Sequence, residues 1–419
     1  MYISQIRLDD VRCFNRGFVI NLERDGKPIL WASILGNNAT GKTTLLRSIA
    51  IGLCDESSAA GLLRESEQGY IRRDESEAII GITLKDTKDP EKEICITTTI
   101  KRINTEGEHP FERLGQKTEP SEHFPWDDLF ACAYGTGRSA SGTGDIAGYS
   151  VISAVYNMFN YSEGLQNPEL AFRRMSNERQ NNLRSTLQKV LELGNGQEVR
   201  LTGSGFTVDG IWGKEMPLRD LADGYKSTFY WITDLWGWAV SHDPNIFHSE
   251  EISGIVLIDE LEQHLHPSWQ RYVIGRLQTQ FPKVQFIVTT HSPLIALGTA
   301  DIDNAMIVTL KLESENIVTA SEEEAKDYRG MRVDRVLTSI FGLPIARSGV
   351  TGDKIMRFLE LAVEDSLGKE EQTELETLRE EVIKDLPDVA EKAEDLKIQK
   401  EIQNLLTELK NNLNKSGDE

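Results

Sequence analysis

The first part of the chain alternates apolar and polar residues with the period of a β-strand and then changes to the period of a helix. Apolar side chains recur at roughly every second position over residues 3–22, and residues 24–27 form a polar turn. An apolar run at 29–35 follows, and positions 45–53 carry the apolar spacing of a helix. The pattern therefore predicts a strand hairpin that leads through a short loop into a helix.

Further patterns predict a chain of the α/β class. Residues 255–258 are consecutively apolar, as in a central parallel strand that is buried on both faces. Other strand patterns, many of them rich in β-branched residues, lie at 78–84, 94–100, 129–134, 284–290, 305–310 and 316–320, with a short hairpin at 198–211. Helical patterns cover 150–195, with a break at Asn167-Pro168, and 353–414, whereas the polar residues 104–126 are predicted to form a surface loop.

Composition and charge exclude several classes of protein. Of the 419 residues 39% are hydrophobic, but no apolar run approaches the roughly 20 residues that span a bilayer. Since the N-terminus also lacks the apolar core of a signal peptide, we expect no membrane contact and a cytoplasmic location. The four cysteines form no C-x-x-C pair, which argues against a zinc site. The formal net charge of −21 argues against general nucleic-acid binding but leaves room for a local basic groove.

The loop between the predicted hairpin and its helix fits the phosphate-binding pattern G-x-x-x-x-G-K-[ST] at every fixed position. Its residues are Gly36, Asn37, Asn38, Ala39, Thr40, Gly41, Lys42, Thr43 and Thr44. The glycines let backbone N–H groups surround an anion at a helix N-terminus, where the helix dipole also favours phosphate. Lys42 is predicted to reach the β- and γ-phosphates of a nucleotide, and the Thr43 hydroxyl is predicted to hold Mg²⁺.

Polar residues end two of the predicted buried strands. Asp259 follows the strand at 255–258 and is placed to hold Mg²⁺ opposite Thr43, directly or through water. Glu260 is the natural general base for a water that attacks the γ-phosphate, because it lies just beyond the metal ligand. His291 follows the strand at 284–290 and is predicted to sense the γ-phosphate by a hydrogen bond. The alternatives are ordinary acidic strand ends and a core histidine.

Several arginines are weaker candidates. Arg12 lies where the first hairpin returns toward a bound nucleotide, and a surface ion pair is its alternative interpretation. Arg138 follows a strand that runs into Gly135-Thr136-Gly137, so it is a candidate for contact with nucleotide or for coupling nucleotide to a partner. Arg173, Arg174 and Arg179 belong to a positively charged helical stretch, which is interpreted either as a solvated face or as a DNA-facing patch.

Together, residues 36–44, 255–260 and His291 resemble the Walker A motif, the Walker B motif and the switch histidine of ABC-type ATPase heads of the SMC, RecF and OLD-like group. The resemblance covers about residues 1–310. It implies an α/β P-loop NTPase of ABC-ATPase head type, with N-terminal antiparallel strands and a helical insertion at about 150–195. Residues 311–350 would then connect this head to an acidic helical appendage at 351–419.

One run of residues is more specific than the Walker motifs. Residues 257–267, followed by 289–293, resemble the AAA-type ATP-binding proteins that serve as ATPase subunits of bacterial antiphage defence systems such as Septu, some retrons and PARIS. The segments 134–138 and 221–227 and the acidic tail fit that subgroup. Ala222 stands where the wider family usually carries serine, so the resemblance implies slow hydrolysis or reliance on backbone donors near Gly224.

In this group ATP is held between Walker A of one subunit and the signature loop of another. The resemblance therefore implies ATP and Mg²⁺ as cofactors, a homodimer or higher oligomer, and Asp223 and Gly224 as nucleotide-binding residues of the signature loop. The expected function is an ATPase that acts as a sensor or scaffold and controls a separate effector, such as a nuclease. The alternatives are a RecF-like DNA-repair ATPase that binds duplex DNA as an ATP-dependent dimer, and a self-contained nuclease.

Overall fold

The computed structural model describes most of the chain. The described residues are 1–66, 69–87, 89, 91–103, 111–120, 124, 126–139, 148–160, 162, 164–193, 198–202, 205–210, 213–313, 317–341, 349–363 and 368–385. The chain divides into two compact units, Met1–Val336 and Leu337–Glu419. None of the described helices is both long enough and apolar enough to cross a membrane, and the cytoplasmic location stays a prediction.

The described residues form strands and helices, and the last two helices belong to the second unit. The strands are β1 (Tyr2–Asp9), β2 (Phe18–Asn21), β3 (Glu23–Arg24), β4 (Lys27–Pro28), β5 (Trp31–Gly36), β6 (Glu77–Lys85), β7 (Glu93–Ile103), β8 (Phe111–Glu119), β9 (Ala131–Tyr134), β10 (Val199–Thr202), β11 (Gly205–Gly210), β12 (Gly213–Pro217), β13 (Ser253–Ile258), β14 (Lys283–Thr290), β15 (Ala305–Leu312) and β16 (Val318–Glu324). The α-helices are α1 (Lys42–Gly52), α2 (Glu56–Arg64), α3 (Val151–Val155), α4 (Pro168–Arg173), α5 (Asn177–Val190), α6 (Asp223–His242), α7 (Pro267–Gln280), α8 (Pro293–Ala300), α9 (Val333–Ser339), α10 (Gly349–Val363) and α11 (Lys369–Asp385).

A six-stranded sheet in the order β16-β15-β5-β14-β13-β9 positions the candidate site. Its strands β15, β5, β14, β13 and β9 run parallel, and β16 is antiparallel to β15. The central strands are buried along nearly their whole length, as their consecutive apolar residues predict. Because parallel strands end at the same edge of a sheet, the residues that follow β5, β13 and β14 meet there.

A second, antiparallel sheet in the order β2-β1-β6-β7-β8 covers helix α1 from the other side. Helix α1 packs against β6 and β7 of this sheet and against β5, β13 and β14 of the parallel sheet. The Gln285 side chain connects the sheets, since it accepts a hydrogen bond from the Ile3 N–H and donates to the carbonyls of Ile3 and Ile29. The predicted α/β class with N-terminal antiparallel strands is confirmed.

The predicted helical insertion consists of several short elements. Helix α3 continues as a 3-10 helix at Tyr156–Met158, and α4 and α5 follow. The predicted break coincides with the start of α4, because Pro168 is its first residue and the Asn167 side chain accepts from the Glu169 and Leu170 N–H groups. Pro and an N-cap Asn at these positions are typical of a helix start.

One local prediction is wrong. The polar stretch 104–126 was predicted as a loop, but its residues 111–119 form β8, which pairs with β7 from Ile103 to Cys95. Leu114 is buried in this edge strand, but most of its other described side chains are exposed or half-buried, so backbone pairing rather than apolar alternation defines it. The hairpin predicted at 198–211 is confirmed by the pairing of β10 with β11. A third strand, β12, pairs with β11 beyond the predicted range, and its polar sequence gives no apolar pattern that would predict it.

The six-stranded sheet continues past residue 310, the predicted end of the head, because β16 pairs with β15 along its whole length. The second unit contains helix α10 and the acidic helix α11, which are joined by ion pairs from Arg357 to Glu374 and from Lys354 to Glu381. The remainder of the predicted appendage, residues 386–419, lies outside the described residues.

Candidate nucleotide-binding site

The phosphate loop connects β5 to the first turn of α1, as the sequence predicts. Gly41 precedes the helix with φ +88°, a left-handed conformation that favours glycine. A Cβ at this position would lie 2.4 Å from Cys13 Sγ and 2.9 Å from Phe14 Cζ. Among the described residues no side chain caps the helix and no acidic residue occupies its first turn. The helix N-terminus therefore presents its backbone donors to an anion.

Lys42 is 93% buried and points into this loop. Its Nζ donates to the carbonyl oxygens of Gly36 at 2.8 Å and Asn37 at 2.9 Å. Burial lowers the pKa of Lys42 to about 8, although the carboxylates of Asp259, Glu260 and Glu262 oppose the shift. The ammonium group thus remains mostly charged at neutral pH and can neutralise phosphate oxygens.

Thr43 and Asp259 meet at the edge of the sheet. The Thr43 hydroxyl donates to Asp259 Oδ2 at 2.8 Å, and the Thr289 hydroxyl donates to Asp259 Oδ1 at 2.6 Å. Asp259 is only 2% exposed, so these bonds fix its carboxylate. Hydroxyl and carboxylate oxygens are the ligands that Mg²⁺ prefers, and the pair therefore fits the predicted metal site.

Glu260 follows Asp259 with φ +49°, which is a strained conformation for a residue with a Cβ. Its N–H donates to Thr289 Oγ1 at 2.8 Å, and its carbonyl accepts from Arg138 Nη2 at 2.8 Å. The residue is half-buried. The charge of its carboxylate acts on the pKa of both Lys42 and His291, so the group lies in the same cluster, and its role as general base stays a prediction.

His291 follows β14 and lies beside the same cluster. Its N–H donates to Glu262 Oε1 at 2.5 Å. Burial lowers the pKa of the imidazole, and the nearby charge of Lys42 adds to this effect, while Glu262, Glu260 and Asp259 oppose it. A neutral ring at physiological pH can donate or accept one hydrogen bond at each nitrogen, as a γ-phosphate sensor requires.

The two candidate arginines make contacts within the protein. Arg12 donates to the Gly69 carbonyl at 3.1 Å and to Ser66 Oγ at 2.5 Å, and its guanidinium lies 4.3 Å from the centre of the Tyr70 ring. Arg138 is buried against the loop after β13 and donates to backbone carbonyls there. The nucleotide contacts that the sequence suggests for these two residues stay predictions.

The predicted signature loop, which contains Asp223 and Gly224, lies at the start of helix α6. Asp223 is exposed, and its carboxylate lies 2.7 Å from Lys226 Nζ, which lowers the pKa of Asp223. A Cβ on Gly224 would lie 2.4 Å from the His264 carbonyl oxygen, so glycine allows α6 to approach the loop that carries Asp259 and Glu260. Ala222, at the N-cap position, provides no side-chain cap among the described residues.

One arginine of the suggested DNA-facing patch, Arg179, forms contacts within the protein. Arg179 Nε donates to the Ile246 carbonyl at 2.8 Å, Nη2 donates to the Pro244 carbonyl, and the guanidinium lies 4.4 Å from the Phe247 ring centre. Arg179 therefore holds the loop at residues 244–247, which favours the structural interpretation of this residue.

Sequence reasoning missed three residues of the site. Thr289 holds both Asp259 and Glu260, Glu262 holds the backbone of His291, and Asn157 fixes the turn at Gly135 and Gly137. Thr289 and Glu262 lie within three residues of predicted site residues, at the carboxyl ends of parallel strands, and that position is the signal that could have identified them. Asn157 lies on a different element and carries no such signal.

The sequence model of a protein family described as "AAA domain, putative AbiEii toxin, Type IV TA system" matches residues 32–297. This segment covers more than half of the chain. It includes the phosphate loop, the loop that carries Asp259 and Glu260, and His291.

Relatives share parts of this region. The chain is 28% identical over 318 residues to the Septu protein PtuA of Bacillus mycoides strain KBAB4, a match that covers 75% of this chain and 41% of the relative. Over 93 residues it is 42% identical to the "Retron Ec83 probable ATPase" of Escherichia coli, which covers 22% of this chain and 17% of the relative. The chain thus spans less than half of the length of these curated relatives. Among solved structures, the chain is similar to an SMC head bound to the C-terminal winged-helix domain of ScpA. The match covers 78% of this chain and 99% of the SMC head chain, with a TM-score of 0.49 and 14% identity.

Proposed function

The chain belongs to the AAA-domain family whose model it matches, and from this premise we propose that it binds ATP with Mg²⁺ and hydrolyses ATP. The hydrogen bond of 2.8 Å between the Thr43 hydroxyl and Asp259 carries the proposal, because it joins the phosphate loop to the acidic strand end. Both residue types suit one Mg²⁺, and the charged Lys42 lies in the same loop.

Each residue of the site has a defined task in this proposal. Lys42 and the amides at the start of α1 would hold the phosphates, while Thr43 and Asp259 would hold Mg²⁺, whose charge neutralises the β- and γ-phosphate oxygens. Glu260 would accept the proton of the attacking water, because it follows the proposed metal ligand Asp259 in the chain and the loop fixes its backbone. His291 would hydrogen-bond to the γ-phosphate.

We further propose that two copies close around ATP, with Asp223 and Gly224 of one subunit at the nucleotide of the other. The start of α6 is exposed at Asp223, and Gly224 contacts the loop after Glu260 in its own subunit. A nucleotide that contacts both subunits binds the closed pair better than the open one, and this differential affinity is what a switch requires.

The biological role that we propose is control of a separate effector, such as a nuclease, in an antiphage defence complex. The similarity to the Septu and retron relatives supports this role. Duplex-DNA binding of the RecF kind is the less supported alternative, because the net charge is −21 and Arg179 is engaged with its own chain.

The proposal is tested by measuring ATP affinity and molecular mass on the same samples. We expect Lys42→Ala to abolish ATP binding, because the loop loses its only lysine, and Lys101→Ala to leave it intact. Lys101 is the matched control, since it forms a surface ion pair with Glu77 at 3.0 Å. By light scattering, Glu260→Gln should form a stable dimer with ATP and Mg²⁺. Equal ATP affinity in Lys42→Ala and Lys101→Ala would contradict the assignment of the loop.

A further inference from the structure

Arg138 is buried beneath the loop that carries the proposed general base, and it is only 6% exposed. Its Nε donates to the Gly135 carbonyl at 2.9 Å. Its Nη2 donates to the carbonyls of Asp259 and Glu260, the second at 2.8 Å. The planar fork of a guanidinium can serve several acceptors in fixed directions, and here these acceptors are backbone oxygens of the turn after β9 and of the loop after β13.

Glu260 needs such support because its φ of +49° is unfavourable for a residue with a Cβ. Strained conformations of this kind persist where the surrounding structure holds them, and they cluster at active sites. Thr289 Oγ1 accepts from the Glu260 N–H at 2.8 Å, and Arg138 binds the Glu260 carbonyl. The backbone is thus held on both sides of the Cα, which fixes the direction of the Cα–Cβ bond from which the carboxylate extends.

Arg138 is itself held in position by Asn157. The Asn157 Oδ1 accepts from the Gly135 N–H at 3.0 Å, and its Nδ2 donates to the Gly137 carbonyl at 3.0 Å. Asn157 is 7% exposed. A connected set of hydrogen bonds therefore runs from the 3-10 helix at Tyr156–Met158 through the turn after β9 to the backbone of Glu260.

We propose that Arg138 is a positioning residue for ATP hydrolysis, which orients Glu260 through the carbonyls of Asp259 and Glu260 and makes no contact with a phosphate. The inference rests on the proposed function, in which Glu260 is the base. It assigns Arg138 a different role from the nucleotide contact that the sequence suggests. Its Nε and Nη2 donate to carbonyls of the protein.

The test separates turnover from binding. The single ammonium of Arg138→Lys cannot reach all three carbonyls, so Glu260 should lose its fixed direction. We expect kcat for ATP to fall about 10- to 100-fold, as misplaced catalytic groups do, while the Kd for ATP changes by less than about threefold. A tenfold weaker Kd at unchanged kcat would indicate a phosphate contact and would overturn the inference.

A double-mutant cycle tests whether Arg138 acts through Glu260. If it does, Arg138→Lys should have no further effect on the residual turnover of Glu260→Gln, because the group that it positions is already gone. If the two losses multiply, Arg138 acts on its own and the inference fails.

Arg179→Lys is the matched control. Arg179 also uses Nε and Nη2 to bind two loop carbonyls, those of Ile246 and Pro244, but it holds a different loop. We expect it to lower the melting temperature while kcat stays at the wild-type value. An equal loss of kcat in both variants would show that Arg138 is merely structural.

Three further outcomes are decisive. If Arg138→Lys does not fold, Asn157→Ala carries the same expectation, and an unchanged kcat in that variant overturns the inference. A wild-type protein that binds ATP but releases no phosphate would refute the proposed hydrolysis together with the inference. An active wild type whose kcat survives Arg138→Lys would refute the inference alone.

Discussion

Thr289→Val tests the hydrogen bonds that fix the acidic loop. Thr289 is fully buried, and valine has nearly the same shape without the hydroxyl. The change removes the 2.6 Å bond to the Asp259 carboxylate and the 2.8 Å bond from the Glu260 N–H. A hydrogen bond to a charged group contributes about 1.5–3 kcal/mol and a neutral one about 1 kcal/mol. The free energy of unfolding should therefore fall by about 2–4 kcal/mol.

This decrease in the free energy of unfolding should appear as a lower melting temperature. The first unit is Met1–Val336, and an unfolding entropy of about 2.1 cal/mol/K per residue gives it about 0.7 kcal/mol/K. The melting temperature should therefore fall by about 3–6 °C. Scanning calorimetry without nucleotide measures this shift directly.

Thr309→Val is the matched control, because Thr309 lies in β15 of the same sheet and is 2% exposed. Its hydroxyl has no hydrogen-bond partner within the described part of the chain. Removing this hydroxyl should leave the melting temperature unchanged or raise it. If the two valine variants melt alike, or if Thr289→Val shifts the transition by less than about 1 °C, the reasoning from hydrogen bonds is refuted.

Three further predictions concern other parts of the first unit. Burial raises the pKa of Asp234 to about 7, so the folded state keeps a proton that the unfolded chain loses near pH 4, and stability should fall by up to about 1.4 kcal/mol per unit as pH rises from 4 to 7. Calorimetry at pH 5 and 7 should show a smaller difference for Asp234→Asn than for the wild type, and an equal difference would contradict this. Gly41→Ala should destabilise the protein by about 1–2 kcal/mol and weaken ATP binding, whereas Gly61→Ala, whose Cβ would meet only Ile152 Cδ1 at 3.7 Å, should be neutral or stabilising. Ala222→Ser should stabilise α6 by about 1 kcal/mol by adding an N-cap, and an unchanged melting temperature would show that the helix start is already satisfied.

Much of the fold and the centre of the site could be predicted from the sequence. Strands with a clear apolar pattern were found, since residues 255–258 of β13 and 286–288 of β14 are consecutively apolar. The phosphate loop was found because its chemistry requires particular residues at fixed spacing. Strand β8 was missed because it is defined by pairing with β7 and not by its own apolar pattern.

The supporting residues of the site are harder to predict, because their roles depend on contacts between distant segments. Arg138 reaches carbonyls more than 120 positions away in the chain, and Asn157 acts on a turn that precedes it by about 20 positions. A sequence motif indicates which side chain is available at a position. Only the fold shows that the guanidinium donates to backbone oxygens.

The central claim is that Glu260 is the base of an ATP-hydrolysing site, and phosphate release tests it most directly. The measurement compares wild type with Glu260→Gln at saturating ATP and Mg²⁺, after ATP affinity has been measured for both. We predict that the two bind ATP within about threefold of each other and that Glu260→Gln releases phosphate at least about 100-fold more slowly. Equal release rates at equal ATP occupancy would contradict the account.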